Sequence, residues 1–134
     1  IMLRRLRELA GQRKSFAFET TLATRSYASW QGKLRRSGWQ VNLVFIWLDS
    51  AELAVERVRQ RVASGGHSIP EQSIRRRYRR GVENFFSLYQ SLADSWSVYD
   101  NSISPTPTLI AAGQQRSENV FDEKLWSKFQ EVAI

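Results

Sequence analysis

The run Val41 to Leu48, Val-Asn-Leu-Val-Phe-Ile-Trp-Leu, restricts the fold more than any other part of the chain. It is nearly continuous in apolar character, yet far shorter than the ~20 residues needed to cross a bilayer as a helix. A strand of this kind lacks the apolar/polar alternation of a half-exposed sheet and suits a sheet buried on both faces, which is the environment of parallel strands. The next residues, Asp49-Ser50-Ala51-Glu52, read as a helix start, with Ser50 as the cap and Glu52 as an acid in the first turn. A strand followed directly by a helix points to an α/β architecture.

The rest of the chain fits that scheme. Met2, Leu3, Leu6, Leu9 and Ala10 have helical spacing, with Gly11 as a stop, and Ser15 to Glu19 reads as a short strand. Residues 25 to 37 form a helix with Tyr27, Trp30 and Leu34 on one face and Gly38 at its end. Ala51, Ala54, Val55, Val58 and Val62 make the packing stripe of the next helix, which Gly65-Gly66 terminates. Pro70-Glu71 opens a longer helix whose apolar set is Ile74, Tyr78, Val82, Phe85, Phe86, Tyr89 and Leu92. Trp96 to Tyr99 is a strand ending in Asp100-Asn101, Ser104-Pro105-Thr106-Pro107 a loop, Thr108 to Ala112 a last strand, and Phe121, Leu125, Trp126 and Phe129 mark a closing helix. The expectation is one domain, 1–134, built as an α/β three-layer sandwich with a mostly parallel sheet.

The charge is uneven. The chain of 134 residues carries a net charge of +7, from 20 basic and 13 acidic residues, and the segment 57–80 holds eight arginines against one acid. Guanidinium groups are planar, permanently charged and able to grip phosphate oxygens in pairs, so the segment reads as a polyphosphate clamp around its Gly-Gly-His-Ser-Ile-Pro loop. Arg57 and Arg61 lie one turn apart, off the packing stripe. At about 100° per residue Arg76 and Arg80 fall opposite the stripe of the long helix, free to meet a ligand, while Arg75, Arg77 and Arg79 flank it. The competing reading is a nucleic-acid surface, but helical arginines interleaved with core aromatics match no common nucleic-acid motif. No cysteine is present and His67 is the one histidine, so thiolate and multi-histidine metal sites are excluded. The N-terminal apolar residues alternate with Arg4, Arg5, Arg7 and Glu8 and do not form a signal peptide, so a cytoplasmic location without a membrane partner is expected.

In a parallel sheet, ligands gather at the carboxyl ends of the strands. Three expected strands end in polar groups: Glu19-Thr20-Thr21, Asp49-Ser50 and Asp100-Asn101. Glu19 follows the wholly apolar Phe16-Ala17-Phe18, and an acid there can hold the hydration shell of Mg²⁺ or accept a proton from a substrate hydroxyl.

Phe-Ala-Phe-Glu-Thr-Thr-Leu (16–22), Phe-Ile-Trp-Leu-Asp-Ser (45–50), Arg-Val-Arg-Gln-Arg-Val (57–62), Gly-Gly-His-Ser-Ile-Pro (65–70), Ile-Arg-Arg-Arg-Tyr-Arg-Arg-Gly (74–81) and Val-Tyr-Asp-Asn (98–101) resemble, in order, the zeta-toxin-like P-loop kinases. The resemblance implies a nucleoside-monophosphate-kinase-like fold that uses ATP and Mg²⁺ to phosphorylate a small hydroxyl-bearing substrate, and an antitoxin partner. It places Glu19, Arg57 and Arg61 in catalytic roles, Thr20, Thr21 and His67 at the substrate, and Arg76 and Arg80 on phosphates. Zeta toxins proper act on UDP-activated amino sugars; His67 stands near where they place a lid arginine, which weakens the match to that substrate. The chain also has no Gly-x-x-x-x-Gly-Lys-Ser/Thr, since its one Gly-Lys pair, Gly32-Lys33, is followed by Leu34. By resemblance it corresponds to a kinase domain without its N-terminal strand and P-loop, and these residues alone are expected to be inactive. A non-catalytic phosphate- or nucleic-acid-binding module, or a protein-interaction module, is the alternative. A missing central strand should leave Val41–Leu48 or Ser15–Glu19 with an unpaired edge. The consequence would be self-association, or a groove lined by residues such as Phe16, Phe18, Leu43 and Phe45.

Overall fold

A computed structural model describes residues 2–103 and 105–134. The side chains of Met2 and Leu3, read above as part of the first helix's apolar set, and the loop residue Ser104 lie outside the described residues. The elements are α1 (Met2–Gly11), α2 (Ser26–Arg36), β1 (Asn42–Trp47), α3 (Ala51–Ala63), α4 (Glu71–Asn84) running into a π-helical turn (Phe85–Tyr89), β2 (Ser95–Asp100), β3 (Thr108–Gln114), β4 (Ser117–Val120) and α5 (Glu123–Val132).

Helix boundaries follow local chemistry. Ser50 caps α3 by accepting from the Leu53 N–H at 3.1 Å, and Asp122 caps α5 by accepting from the Leu125 N–H at 3.0 Å. The glycine stops are Schellman turns. Gly38, at φ 94°, donates to the Arg35 carbonyl and Trp39 to that of Leu34; Gly65, at φ 100°, donates to Val62 and Gly66 to Arg61.

The sheet runs in the order β1-β2-β3-β4. β1 and β2 are parallel, with Leu43 opposite Trp96 and Phe45 opposite Val98, whereas β2–β3 and β3–β4 are antiparallel. The expectation of a mostly parallel sheet is therefore overturned, and the four strands form a mixed, mostly antiparallel sheet. The connection 101–107 is shorter than the dozen or so residues a parallel crossover needs, so β3 must turn back on β2. Gln115, at φ 49°, and Arg116 then close a tight hairpin into β4 without any glycine. The strand β4, Ser-Glu-Asn-Val, is too polar to announce itself in the sequence.

The core lies on one face of the sheet. Trp47, Trp96, Val98 and Ala111 pack against Val82, Phe85, Trp126 and Phe129, with Phe45 against the same cluster. The Phe129 ring meets Phe45, Trp47 and Phe85 steeply inclined, at centroid separations of 5.3, 5.4 and 5.5 Å, the edge-to-face arrangement that aromatic quadrupoles favour. On the opposite face Val44 and Ile46 are 57% and 52% exposed. Burial of the Val41–Leu48 run on both faces is thus not realised, and the second helical layer of a three-layer sandwich does not cover β1.

Ser15–Glu19 has no regular secondary structure and is not a strand. Its aromatic side chains are drawn to α2 and its flank instead: Phe16 stacks on Trp30 at 6.0 Å and meets Trp39 edge-on at 5.7 Å, and Phe18 lies 5.4 Å from Tyr27. Among the described residues, β1 pairs with β2 alone. The chain after Glu19 is then fastened to the α4 end. A Cβ on Gly81 would sit 2.7 Å from the Thr21 carbonyl oxygen, so only glycine permits that approach. The Asn84 amide donates to the Leu22 carbonyl at 2.7 Å, and the Tyr89 hydroxyl to that of Thr24 at 2.6 Å. Asp94 ties the start of β1 to α2, accepting from the Val41 N–H at 2.6 Å and from Arg35 at 3.0 Å, which holds its carboxyl below the usual range.

Asn84 is buried, so removing its amide leaves the Leu22 carbonyl without a partner. Asn84→Ala should lower stability by about 1–3 kcal/mol. Urea unfolding checks this, as a fall in midpoint at unchanged slope.

Candidate functional site

At the carboxyl end of β1, the crevice between α3, α4 and residues 20–21 encloses about 370 Å³. Its apolar floor includes Val58, Ile69 and Ile74, and the polar groups around it are Thr20, Thr21, Arg57, Arg61 and Arg77. The packing stripe of α3 faces α4, which leaves Arg57 and Arg61, one turn apart, on the side toward the crevice.

Arg57 is partly buried and its direction is fixed. One Nη2 donates to the Asn101 carbonyl at 3.0 Å and the Ser102 carbonyl at 3.2 Å. That loop is itself knitted to both strand ends: the Ser102 N–H donates to Asp100 at 3.0 Å, the Ser102 hydroxyl bonds the same carboxylate oxygen, and Ser102 Oγ accepts from the Asp49 N–H at 2.9 Å. The Asp100 carboxylate and the backbone N–H of Asp49 therefore orient the loop that orients Arg57. Arg61 and Arg77 are exposed and, among the described residues, make no ion pair. A phosphate entering the crevice would find several N–H donors with no prior partner.

The other arginines divide in two. Arg75 donates to Glu52 at 3.0 Å, which lowers the Glu52 pKa and raises that of Arg75, and Arg79 pairs with Glu83 at 2.8 Å. Arg59 lies 3.4 Å from Glu71. Arg76 and Arg80 are exposed and line no part of the crevice. The cavity-facing residue of the long helix is Arg77, one of the flanking positions. A crevice forms at the margin of a packed face, so flanking side chains reach it while opposite ones project into water. Spacing alone would have narrowed the set to the flanking Arg75, Arg77 and Arg79; which flank faces the crevice is set by the packing of α4 against α3 and β1.

Glu19 does not line the arginine crevice. It borders a larger groove of about 600 Å³ between residues 17–22 and β1, and Thr20, Thr21, Phe45 and Ile46 border both spaces. That groove contains Phe18, Leu43 and Phe45 of the anticipated lining but not Phe16. His67 is exposed in the loop after α3 and lines neither space. Among the described residues no group of three carboxylate, imidazole or thiol side chains could hold a metal ion. No helix among them is long and apolar enough to cross a membrane.

Tyr78 closes the crevice wall, donating to the Leu48 carbonyl at 2.7 Å, and burial pushes its hydroxyl up to about 12. A phenol that keeps its proton more tightly when folded contributes stability that is complete below the ordinary value near 10 and fades as pH rises from there toward 12. Burial also raises the pKa of Tyr89, so spectrophotometric titration should show two tyrosines ionising late, and Tyr78→Phe should remove one of these components together with its share of the stability loss over this window.

The family model described as "Zeta toxin" matches residues 2–119. A protein of Haemophilus influenzae described as an uncharacterized protein is 33% identical over 67 residues, which are 50% of this chain and 48% of the relative. The chain thus spans about half the length of the curated relative it matches. No solved structure matches. With the family model covering most of the sequence, the chain belongs to the zeta-toxin family, whose members are P-loop kinase-like.

Proposed function

We propose that this chain forms the phosphate- and acceptor-binding part of an ATP-dependent phosphotransferase acting on a small hydroxyl-bearing substrate. The observation that carries the reading is the convergence of Arg57, Arg61 and Arg77 with Thr20 and Thr21 around one crevice at the carboxyl end of β1. Phosphoryl transfer is catalysed largely by positioning and by stabilising charge on phosphate oxygens, the work such a set can do.

Each residue has a part set by its surroundings. Arg57, held by the Asn101 and Ser102 carbonyls, offers its remaining donors as a fixed anchor. Arg61 and Arg77, both exposed, close on the anion from two helices. Thr20 and Thr21 donate hydroxyl bonds at the boundary between the crevice and the groove. Glu19, next along the chain on the groove side, accepts the proton of the acceptor hydroxyl. ATP fits the arginine set in charge, and when bound it would supply the phosphoryl group. Mg²⁺ would be held chiefly by phosphate and water oxygens with one or two carboxylates, as is usual for that ion.

Inorganic pyrophosphate, titrated calorimetrically at low salt, tests the clamp. Arg61→Ala and Arg77→Ala should each cost about 1.5–3 kcal/mol of binding, while Arg76→Ala and Arg80→Ala should change little. Equal losses at all four positions would reduce the site to diffuse surface charge. The 134 residues alone should consume no ATP, because they contain no Gly-x-x-x-x-Gly-Lys-Ser/Thr cradle; Mg²⁺-dependent turnover by them would overturn that. In a protein joining this sequence to such a cradle, Glu19→Gln should abolish transfer and leave pyrophosphate affinity unchanged.

A further inference from the structure

Among the described residues, Arg13, Leu22 and Gln115 have a left-handed backbone without being glycine. Arg13 and Gln115 lie exposed in turns, whereas Leu22, at φ 58°, is buried and follows directly on Thr20 and Thr21. That conformation costs free energy for a residue with a Cβ and persists only where the surrounding contacts impose it. The contacts come from α4. The Asn84 amide donates to the Leu22 carbonyl at 2.7 Å, and Gly81 lies so close to the Thr21 carbonyl that a Cβ on it would stand 2.7 Å from the oxygen.

In a trans peptide the C=O of one residue and the N–H of the next are antiparallel within one plane, so fixing a carbonyl also aims the N–H that follows it. The Thr21 carbonyl thus sets the Leu22 N–H, which donates to Thr20 Oγ1 at 3.4 Å. The Leu22 carbonyl likewise sets the Ala23 N–H, which donates to Thr21 Oγ1 at 3.3 Å. Among the described residues neither threonine hydroxyl has a further partner. A hydroxyl has one proton and two lone pairs, and an N–H aimed at its oxygen turns that proton away from the backbone. Both threonines border the crevice of Arg57, Arg61 and Arg77, so they face it as donors.

We propose that Asn84 is a positioning residue for anion binding: by holding the Leu22 carbonyl it keeps Leu22 left-handed and turns the Thr21 hydroxyl to the crevice as a donor. The site then recognises a group that only accepts hydrogen bonds, such as a phosphate, through oriented neutral donors as well as through its arginines. Asn84 does not line the crevice and acts through Leu22 and Ala23. The proposal rests on the reading of the crevice as an anion site and deepens it.

Titration of the 134-residue chain with inorganic pyrophosphate tests this as a double-mutant cycle. Thr21→Val removes the hydroxyl at nearly constant shape and should weaken binding about tenfold, and Thr21→Ser, which restores a hydroxyl, should recover most of that loss. Asn84→Ala should weaken binding by a similar factor in the original chain, but by no more than about twofold in the Thr21→Val background, where the hydroxyl it positions is gone. Equal losses in both backgrounds would make Asn84 a purely structural residue and overturn the proposal, as would full affinity in Thr21→Val. Hydrogen exchange gives a readout that does not depend on Asn84→Ala folding: Thr21→Val should speed exchange at the Ala23 amide and Thr21→Ser should slow it again. An Ala23 amide indifferent to both changes would also overturn it. Arg61→Ala separates the two readings. Full affinity there sinks the anion site and this proposal with it, whereas a loss in Arg61→Ala with none in Asn84→Ala sinks the positioning role alone.

Discussion

The contact between Gly81 on α4 and the carbonyl of Thr21 sets the geometry of everything functional in this chain. Two pieces of backbone touch there, since a single methyl group would come within 2.7 Å of the oxygen. Asn84 and Tyr89, one and two turns further along, fasten the next carbonyls to the same helix. This seam carries Thr20 and Thr21 to the end of β1, where α3 and α4 present their arginines. Without it, residues 15–24 would be held mainly by ring contacts with α2 and Trp39, and the hydroxyls would have no fixed relation to the guanidinium groups.

The second organising principle is the way carboxylates distribute the arginines. Glu52, Glu71 and Glu83 occupy Arg75, Arg59 and Arg79 on the outer faces of α3 and α4. Exposed pairs of this kind add little stability, with a median of about 0–1 kcal/mol. They neutralise Arg75, Arg59 and Arg79, while the crevice arginines Arg57, Arg61 and Arg77 and the outward Arg76 and Arg80 have no acidic partner among the described residues. What distinguishes the crevice set is its place beside an apolar floor and two threonine hydroxyls, where an anion is partly shielded from water.

Much of this was legible in the sequence because it rests on local rules. Ser50 as a cap, Gly38 and Gly65 as helix stops, and the apolar set of α4 all follow from short-range chemistry and are found in the structure. The alternation of strands and helices gave the α/β class for the same reason. The errors arose where long-range competition decides. Ser15–Glu19 has the composition of a strand, but its phenylalanines found Trp30, Trp39 and Tyr27, contacts that no window of sequence around residue 17 contains. The β3–β4 hairpin was hidden because Gln115 takes a left-handed conformation without being glycine and β4 is polar. Among Arg75 to Arg80, helical spacing identifies the face opposite the core, where Arg76 and Arg80 lie, whereas the crevice opens beside that face, at Arg77.

The account stands on the claim that the crevice at the end of β1 is the anion site. The most direct measurement is an NMR titration of the 134-residue chain with inorganic pyrophosphate, following the side-chain Nε–H resonances of its arginines. The account predicts saturable shifts for Arg57, Arg61 and Arg77 with one shared dissociation constant, while Arg76 and Arg80 stay in place. Uniform, non-saturating shifts across all the arginines, or a saturable response confined to Arg76 and Arg80, would contradict it.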